Sequence, residues 1–170
     1  SDAFGDGGHS TTRMCALMME KYLQDMGEDE KGQVGMLDVG TGTGILAIIA
    51  RKLGVVSIQA FDVDDPSVAR ARENAFRNGC GDISFFIHDL AGFTPGNRYS
   101  LVVANLLTFI IEKNMKYLKN LLSADGVMIL SGIGKEWEDK IKKLFTLHKL
   151  EIIEEMEEGR WKGFMLKGTG

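Results

Sequence analysis

The chain has 170 residues, 44% of them hydrophobic and 26% charged, with a formal net charge of −4. That suffices for one domain around one core and is too short for two, and a weakly acidic balance with no Lys/Arg block excludes long-range attraction to nucleic acid, so no direct nucleic-acid binding is expected. Cys15 and Cys80 are too few and too separated for a disulfide framework or a metal cluster, and no signal peptide or membrane-length apolar run occurs, which predicts a cytoplasmic protein with no membrane contact and no metal.

The chain opens with Phe4-Gly5-Asp6-Gly7-Gly8-His9, too glycine-rich for regular structure, and reads as a loop. From Ser10, Met14, Leu17, Met18 and Leu23 recur at helical spacing, with Ser10 or Thr11 suited to the N-cap and an end near Gly27. The Ser and Thr hydroxyls at this helix start are either plain caps or, with free N–H groups, an anion site for a ligand carboxylate. Glu28-Asp29-Glu30-Lys31 reads as a solvated charged turn.

Val34 to Val39 is the first predicted strand, and it runs into Gly40-Thr41-Gly42-Thr43-Gly44 before a helix over Ile45 to Leu53. Glycines in that turn allow positive φ and close approach of a ligand to the backbone, as the first βα turn of a nucleotide-binding α/β fold requires. Gly42-x-Gly44-x-x-Ala47 satisfies the dinucleotide fingerprint read loosely, so a nicotinamide oxidoreductase is one reading. Asp38 opposes it, because a carboxylate two residues before the first glycine repels a pyrophosphate and attracts a cation. S-adenosylmethionine carries an ammonium and a sulfonium and no phosphate. Here the sequence resembles the class I S-adenosylmethionine-dependent methyltransferases, whose first motif is acid-x-Gly-x-Gly-x-Gly; Asp38 to Gly44 meets every fixed position.

Val55 to Phe61 is a second strand ending at Asp62, roughly 20 residues past the glycines, the spacing of a carboxylate that takes ribose hydroxyls. Asp64 and Asp65 suit the N-cap of a helix through Val68, Ala71, Ala75 and Phe76 that stops at Asn78-Gly79. Ile83 to His88 is a third strand ending at Asp89, which faces the ligand crevice and is a candidate acceptor for the adenine amine; His88 reads as a packed strand residue. The loop Ala91 to Asn97 leaves room for a turn or two of helix. Leu101 to Asn105 is an apolar strand ending on an amide, beside the glycine loop, where Asn105 either orients an incoming amine and binds the cofactor or caps a loop. Leu106-Leu107 follow in place of Pro-Pro-aromatic, which disfavours adenine-base and glutamine acceptors.

A helix with Phe109, Ile110, Met115, Leu118 and Leu122, a turn at Gly126, a fifth strand Val127 to Leu130 and an amphipathic helix through Trp137, Ile141, Leu144 and Phe145 come next. Leu150 to Ile153 and Trp161 to Leu166 then form two strands joined at Glu157-Glu158-Gly159. The predicted fold is α/β: a Rossmann-like, mostly parallel seven-stranded sheet with a C-terminal antiparallel hairpin and helices on both faces, the class I methyltransferase arrangement.

Over nearly its whole length the chain resembles the catalytic domain of the PrmA family, the methyltransferases of large-subunit ribosomal protein eleven. The family's opening Phe-Gly-x-Gly-x-His-x-Thr-Thr pattern is met by Phe4, Gly5, Gly7, His9, Thr11 and Thr12. Leu37 to Ala47, Asp62-Val63-Asp64-Asp65-Pro66, Arg72-Glu73-Asn74-Ala75, Val102 to Leu106 and Leu130-Ser131-Gly132-Ile133 also look like that family. The resemblance implies that Thr11, Thr12 and Gly40 touch S-adenosylmethionine, that Asp62 holds its ribose and that Asn105 borders the transferred methyl. With Phe4, Asp38, Thr41, Gly42, Val63 and Asp89 these complete the expected cofactor-binding set, and Asn105 is the expected catalytic residue. The implied reaction is N-methylation of amino groups, lysine or α-amine, on a protein substrate, a large-subunit ribosomal protein. The family's N-terminal recognition domain is expected to be absent from 1–170, and Asp6 stands where the family has Thr. Alternatives are a methyltransferase of a small molecule or another protein, the nicotinamide oxidoreductase, and a non-catalytic binding module of the same fold.

Overall fold

The computed structural model describes residues 9–170. Phe4 and Asp6, both singled out above, lie outside the described residues. The elements in chain order are α1 (Ser10–Leu23), α2 (Glu28–Gly32), β1 (Gly35–Val39), α3 (Ile45–Lys52), β2 (Ser57–Asp62), α4 (Asp65–Arg77), β3 (Ser84–Ile87), β4 (Tyr99–Asn105), α5 (Thr108–Leu121), β5 (Leu122–Gly134), α6 (Glu138–Leu147), β6 (Leu150–Glu158) and β7 (Trp161–Gly168).

The seven strands form one sheet in the order β3-β2-β1-β4-β5-β7-β6. β1 to β5 pair in parallel, whereas β7 runs antiparallel to β5 and β6 antiparallel to β7, so the predicted architecture holds. Strand side chains alternate between two cores. Met36, Ile58, Leu101, Val103 and Ile129 meet α1, α3 and α4 on one face. Leu37, Phe61, Val102, Leu130 and Phe164 meet α5 and α6 on the other. Central strands covered on both faces have no polar side, which is why they read as continuous apolar runs. Fully burying a Phe or Leu side chain contributes about 1.5–3 kcal/mol, and this two-sided burial supplies the main drive for the fold.

Several element bounds differ from the sequence reading. α1 stops at Leu23, the last buried residue of its stripe, and not near Gly27. The expected charged turn is the helix α2, whose Glu30 carboxylate accepts the Gly27 N–H at 2.9 Å. β5 begins at Leu122, where a helix end was expected, because Leu122 already pairs with Tyr99 before the register shifts to Leu101–Val127. The Ala91 to Asn97 loop opens within one 3-10 turn, Leu90–Gly92, the amount of helix its length was expected to allow. The hairpin is longer than predicted, with pairs from Leu150–Gly168 to Glu158–Trp161. At its inner side Lys162 is buried against Glu155 (3.0 Å) and Glu138 (3.2 Å), tying α6 to the sheet. Burial alone would lower the Lys162 pKa, but hydrogen bonds to those two carboxylates carry it above the ordinary lysine value.

Candidate functional site

The carboxyl ends of β1, β2 and β4 bring Gly40, Thr41, Gly42, Asp62, Val63 and Asn105 to one edge of the sheet. After Val39 the chain turns through Gly40 (φ 71°), Gly42 (φ 55°) and Gly44 (φ 81°), all left-handed, and Gly40 and Thr41 both donate their N–H groups to the Phe61 carbonyl. A side chain at Gly40 would strike Leu106, whereas one at Gly42 would meet nothing within 4 Å. Gly42 therefore faces open space on the ligand side.

Two adjoining cavities share Gly40. The smaller, about 100 Å³, is lined by Thr12, Gly40, Thr41, Gly42, Ile45, Leu46 and Asn105. The larger, about 270 Å³, is lined by Val39, Gly40, Phe61, Asp62, Val63, Asp89, Leu90, Leu106, Ile110 and Asn114. Asp62 Oδ2 accepts the Gly42 N–H at 2.9 Å and its Oδ1 accepts the Asp64 N–H at 3.2 Å, so the carboxylate braces the glycine loop while facing the cavity. Asp89 Oδ1 caps the following turn by accepting the Ala91 N–H at 3.2 Å. Asn105 donates from Nδ2 to Thr12 Oγ1 at 3.3 Å, joining β4 to α1. Its Oδ1 is buried and has no hydrogen-bond partner among the described residues.

The two acids flanking the loop are not equivalent. Asp62 lines the larger cavity, but Asp38 lines neither; it is 1% exposed, lies under the loop and accepts the Thr41 hydroxyl at 2.7 Å. Burial pushes its carboxyl up to about 7, opposed by the Thr41 hydrogen bond and reinforced by the charge of Asp62. Cys15, fully buried nearby, has its thiol pushed far upward by burial and by the Asp38 charge, which leaves it unreactive.

The start of α1 also differs from the open anion site considered above. The Thr11 N–H donates to His9 Nδ1 at 3.2 Å, and the Thr12 and Arg13 N–H groups donate to the His9 carbonyl at 3.1 Å each. Those three amides are taken, because His9 and neither Ser10 nor Thr11 is the N-cap. Periodicity had no signal for Leu106, Ile110 and Asn114 as cavity wall; only the fold of α5 back over the end of β4 brings them there. The i, i+4 spacing of Ile110 and Asn114 on one helix face was the available clue.

The sheet order, the glycine turn at the end of β1 and the acid at the end of β2 define a Rossmann-like methyltransferase fold. Magnesium protoporphyrin IX methyltransferase from Synechocystis shares this fold with a TM-score of 0.73 at 17% identity, covering 98% of this chain and 88% of that one. The chain belongs to the family described as ribosomal protein L11 methyltransferase (PrmA), whose profile matches residues 2–169. Among relatives, the ribosomal protein L11 methyltransferase of Dictyoglomus thermophilum is 42% identical over 161 residues, covering 94% of this chain and 50% of that protein. That of Thermotoga petrophila is 37% identical over 165 residues, covering 97% and 59%. The crystal structure of ribosomal protein L11 methylase from Lactobacillus delbrueckii subsp. bulgaricus superposes with a TM-score of 0.84 at 34% identity, covering 96% of this chain and 81% of that one. The chain thus spans about half the length of the first of these relatives.

Proposed function

We propose that residues 1–170 are the catalytic domain of an S-adenosylmethionine-dependent N-methyltransferase that modifies amino groups, lysine or α-amine, of a large-subunit ribosomal protein in the cytoplasm. Family membership supports the reaction class, and the names of the relatives support protein L11 as the acceptor. The observation that carries the reading is Asn105 at the end of β4, which lines the same cavity as the glycine loop and Thr12.

The residues present fit the cofactor. Asp62 and Asp89 offer acceptor oxygens to a ribose and an adenine amine, Val63 and Leu90 offer apolar cover, and Gly42 leaves its side of the loop clear. Thr12, Thr41 and Asn105 line the end nearer α1, and Phe4, outside the described residues, belongs to the set through the family motif. When bound, the cofactor supplies a methyl group attached to a positively charged sulfur. The Asn105 amide, at the cavity wall, orients the incoming amine by a hydrogen bond and so points the nitrogen lone pair at that methyl. Holding nucleophile and electrophile at about 3–3.5 Å in line supplies most of the help the reaction needs. The amine must be unprotonated, and desolvation beside a cation lowers its pKa without a dedicated base. Asp62 and Asp89 face the larger cavity with carboxylates, and an acidic rim suits a cationic nucleoside and repels a diphosphate.

The test is to incubate the purified chain with isotope-labelled S-adenosylmethionine and a ribosomal extract, and to locate label by mass spectrometry. Label on amino groups of L11 is the expected result. Label confined to a small molecule, or to another protein, would overturn the acceptor assignment.

A further inference from the structure

One side chain at the edge of the site has no part in the chemistry above, yet three separate contacts meet on it. His9 is 7% exposed, and its ring lies 5.7 Å from that of Trp161 on β7, tilted by 59°. Its Nδ1 receives the Thr11 N–H at 3.2 Å and lies 2.7 Å from Thr11 Oγ1. A backbone N–H can only donate, so Nδ1 carries no proton and the imidazole is the Nε2–H tautomer. The Thr11 hydroxyl must then donate to the same nitrogen. One ring thereby sets the direction of a hydroxyl that would otherwise rotate, while the His9 carbonyl holds the next two amides. Arg13 closes on Glu158 at the far end of β6, so the first turn of α1 is pinned to the terminal hairpin as well.

The consequence reaches the reacting centre through the next residue. Thr12, 1% exposed, accepts the Asn105 amide hydrogen, and because the amide group is planar, fixing Nδ2 also fixes where Oδ1 points. We infer that His9 is a positioning residue: by holding Thr11 and the first turn of α1 against β7, it fixes Thr12 and through it the Asn105 amide at the cavity wall. This rests on the role proposed above for Asn105. His9 touches neither cofactor nor acceptor in this account; it acts through the helix start.

The experiment is steady-state kinetics with the protein acceptor for four variants of the chain: His9→Phe, His9→Asn, Thr11→Val and Asn105→Ala. His9→Phe keeps an aromatic ring against Trp161 and removes the acceptor nitrogen. A misplacement of about 1 Å can cost on the order of 100-fold, so a fall in kcat of roughly tenfold or more is expected, with KM for the acceptor unchanged within about twofold. His9→Asn restores a good capping oxygen and should recover kcat to within about threefold of the unmodified chain. Thr11→Val leaves His9 in place and must lower kcat in the same way, which keeps the test decisive should His9→Phe not fold. Unmodified kcat in His9→Phe and Thr11→Val, or a change confined to KM, with Asn105→Ala impaired, would overturn this inference alone. Unmodified turnover in Asn105→Ala would remove the proposed role of Asn105 and this inference with it.

Discussion

Asp38 and Asp62 end neighbouring strands and carry the same functional group, but their surroundings give them different work. Asp38 is buried, and the folded chain keeps its proton up to about pH 7, while the unfolded chain releases it near 3.8. The folded state therefore binds more protons in that window, so the stability contributed by this group is fully present below 3.8 and is lost as pH rises through 7. At about 1.4 kcal/mol per unit the loss is on the order of a few kcal/mol. The unfolding free energy of the chain minus that of Asp38→Asn, from urea titrations, should fall between about pH 4 and pH 8; a difference flat with pH would show that Asp38 is ionised throughout. Asp62 is the partly exposed one, and both its oxygens already accept backbone N–H groups. Replacing it with Ala should weaken S-adenosylmethionine binding by about 1–3 kcal/mol in calorimetry, with a smaller loss of stability from the freed Gly42 N–H. Unchanged affinity would mean the ribose is held elsewhere.

At the scale of elements, the site depends on how β4 and β5 end. Leu106 N–H donates to the Ser131 carbonyl at 3.1 Å, and Gly132 follows with φ 92°. A Cβ at Gly132 would overlap the Leu106 carbonyl and stand 3.3 Å from Asn105 Oδ1. Gly132→Ala should therefore cost more than about 2 kcal/mol in chemical denaturation, since backbone strain and a backbone clash add. It should also loosen the cofactor site, because Leu106 forms part of the wall of the larger cavity. A variant as stable as the original would show that β5 can shift at this point. Glycines in the first turn were legible as a motif. Gly132 was legible only as part of a family pattern, because its need for a left-handed backbone comes from β4, a strand distant in sequence.

Taken whole, the molecule is one sheet whose stability and ligand binding are linked. A ligand that binds only the folded chain adds about 2.7 kcal/mol at roughly a hundredfold excess over its Kd. S-adenosylmethionine at such excess should raise the melting temperature by several degrees, and NAD should not; the reverse ranking would favour the oxidoreductase reading. The antiparallel hairpin separates these readings by topology, since a doubly wound dinucleotide fold continues with parallel strands where β7 and β6 run antiparallel.

The order of strands and helices, the glycine turn and the acids at two strand ends were readable from residue spacing, because apolar periodicity and glycine placement are local properties of a chain. The family motif added the expectation that Thr11 and Thr12 touch the cofactor. Contacts between distant segments were not readable. That Asn105 leans on Thr12 was decided by how α1 packs on the sheet, and that Asp38 lies outside both cavities by how the glycine loop folds over it. Burial, and a hydrogen bond across some 90 residues such as that from Asn105 to Thr12, arise only when the layers close, so they belong to the tertiary structure.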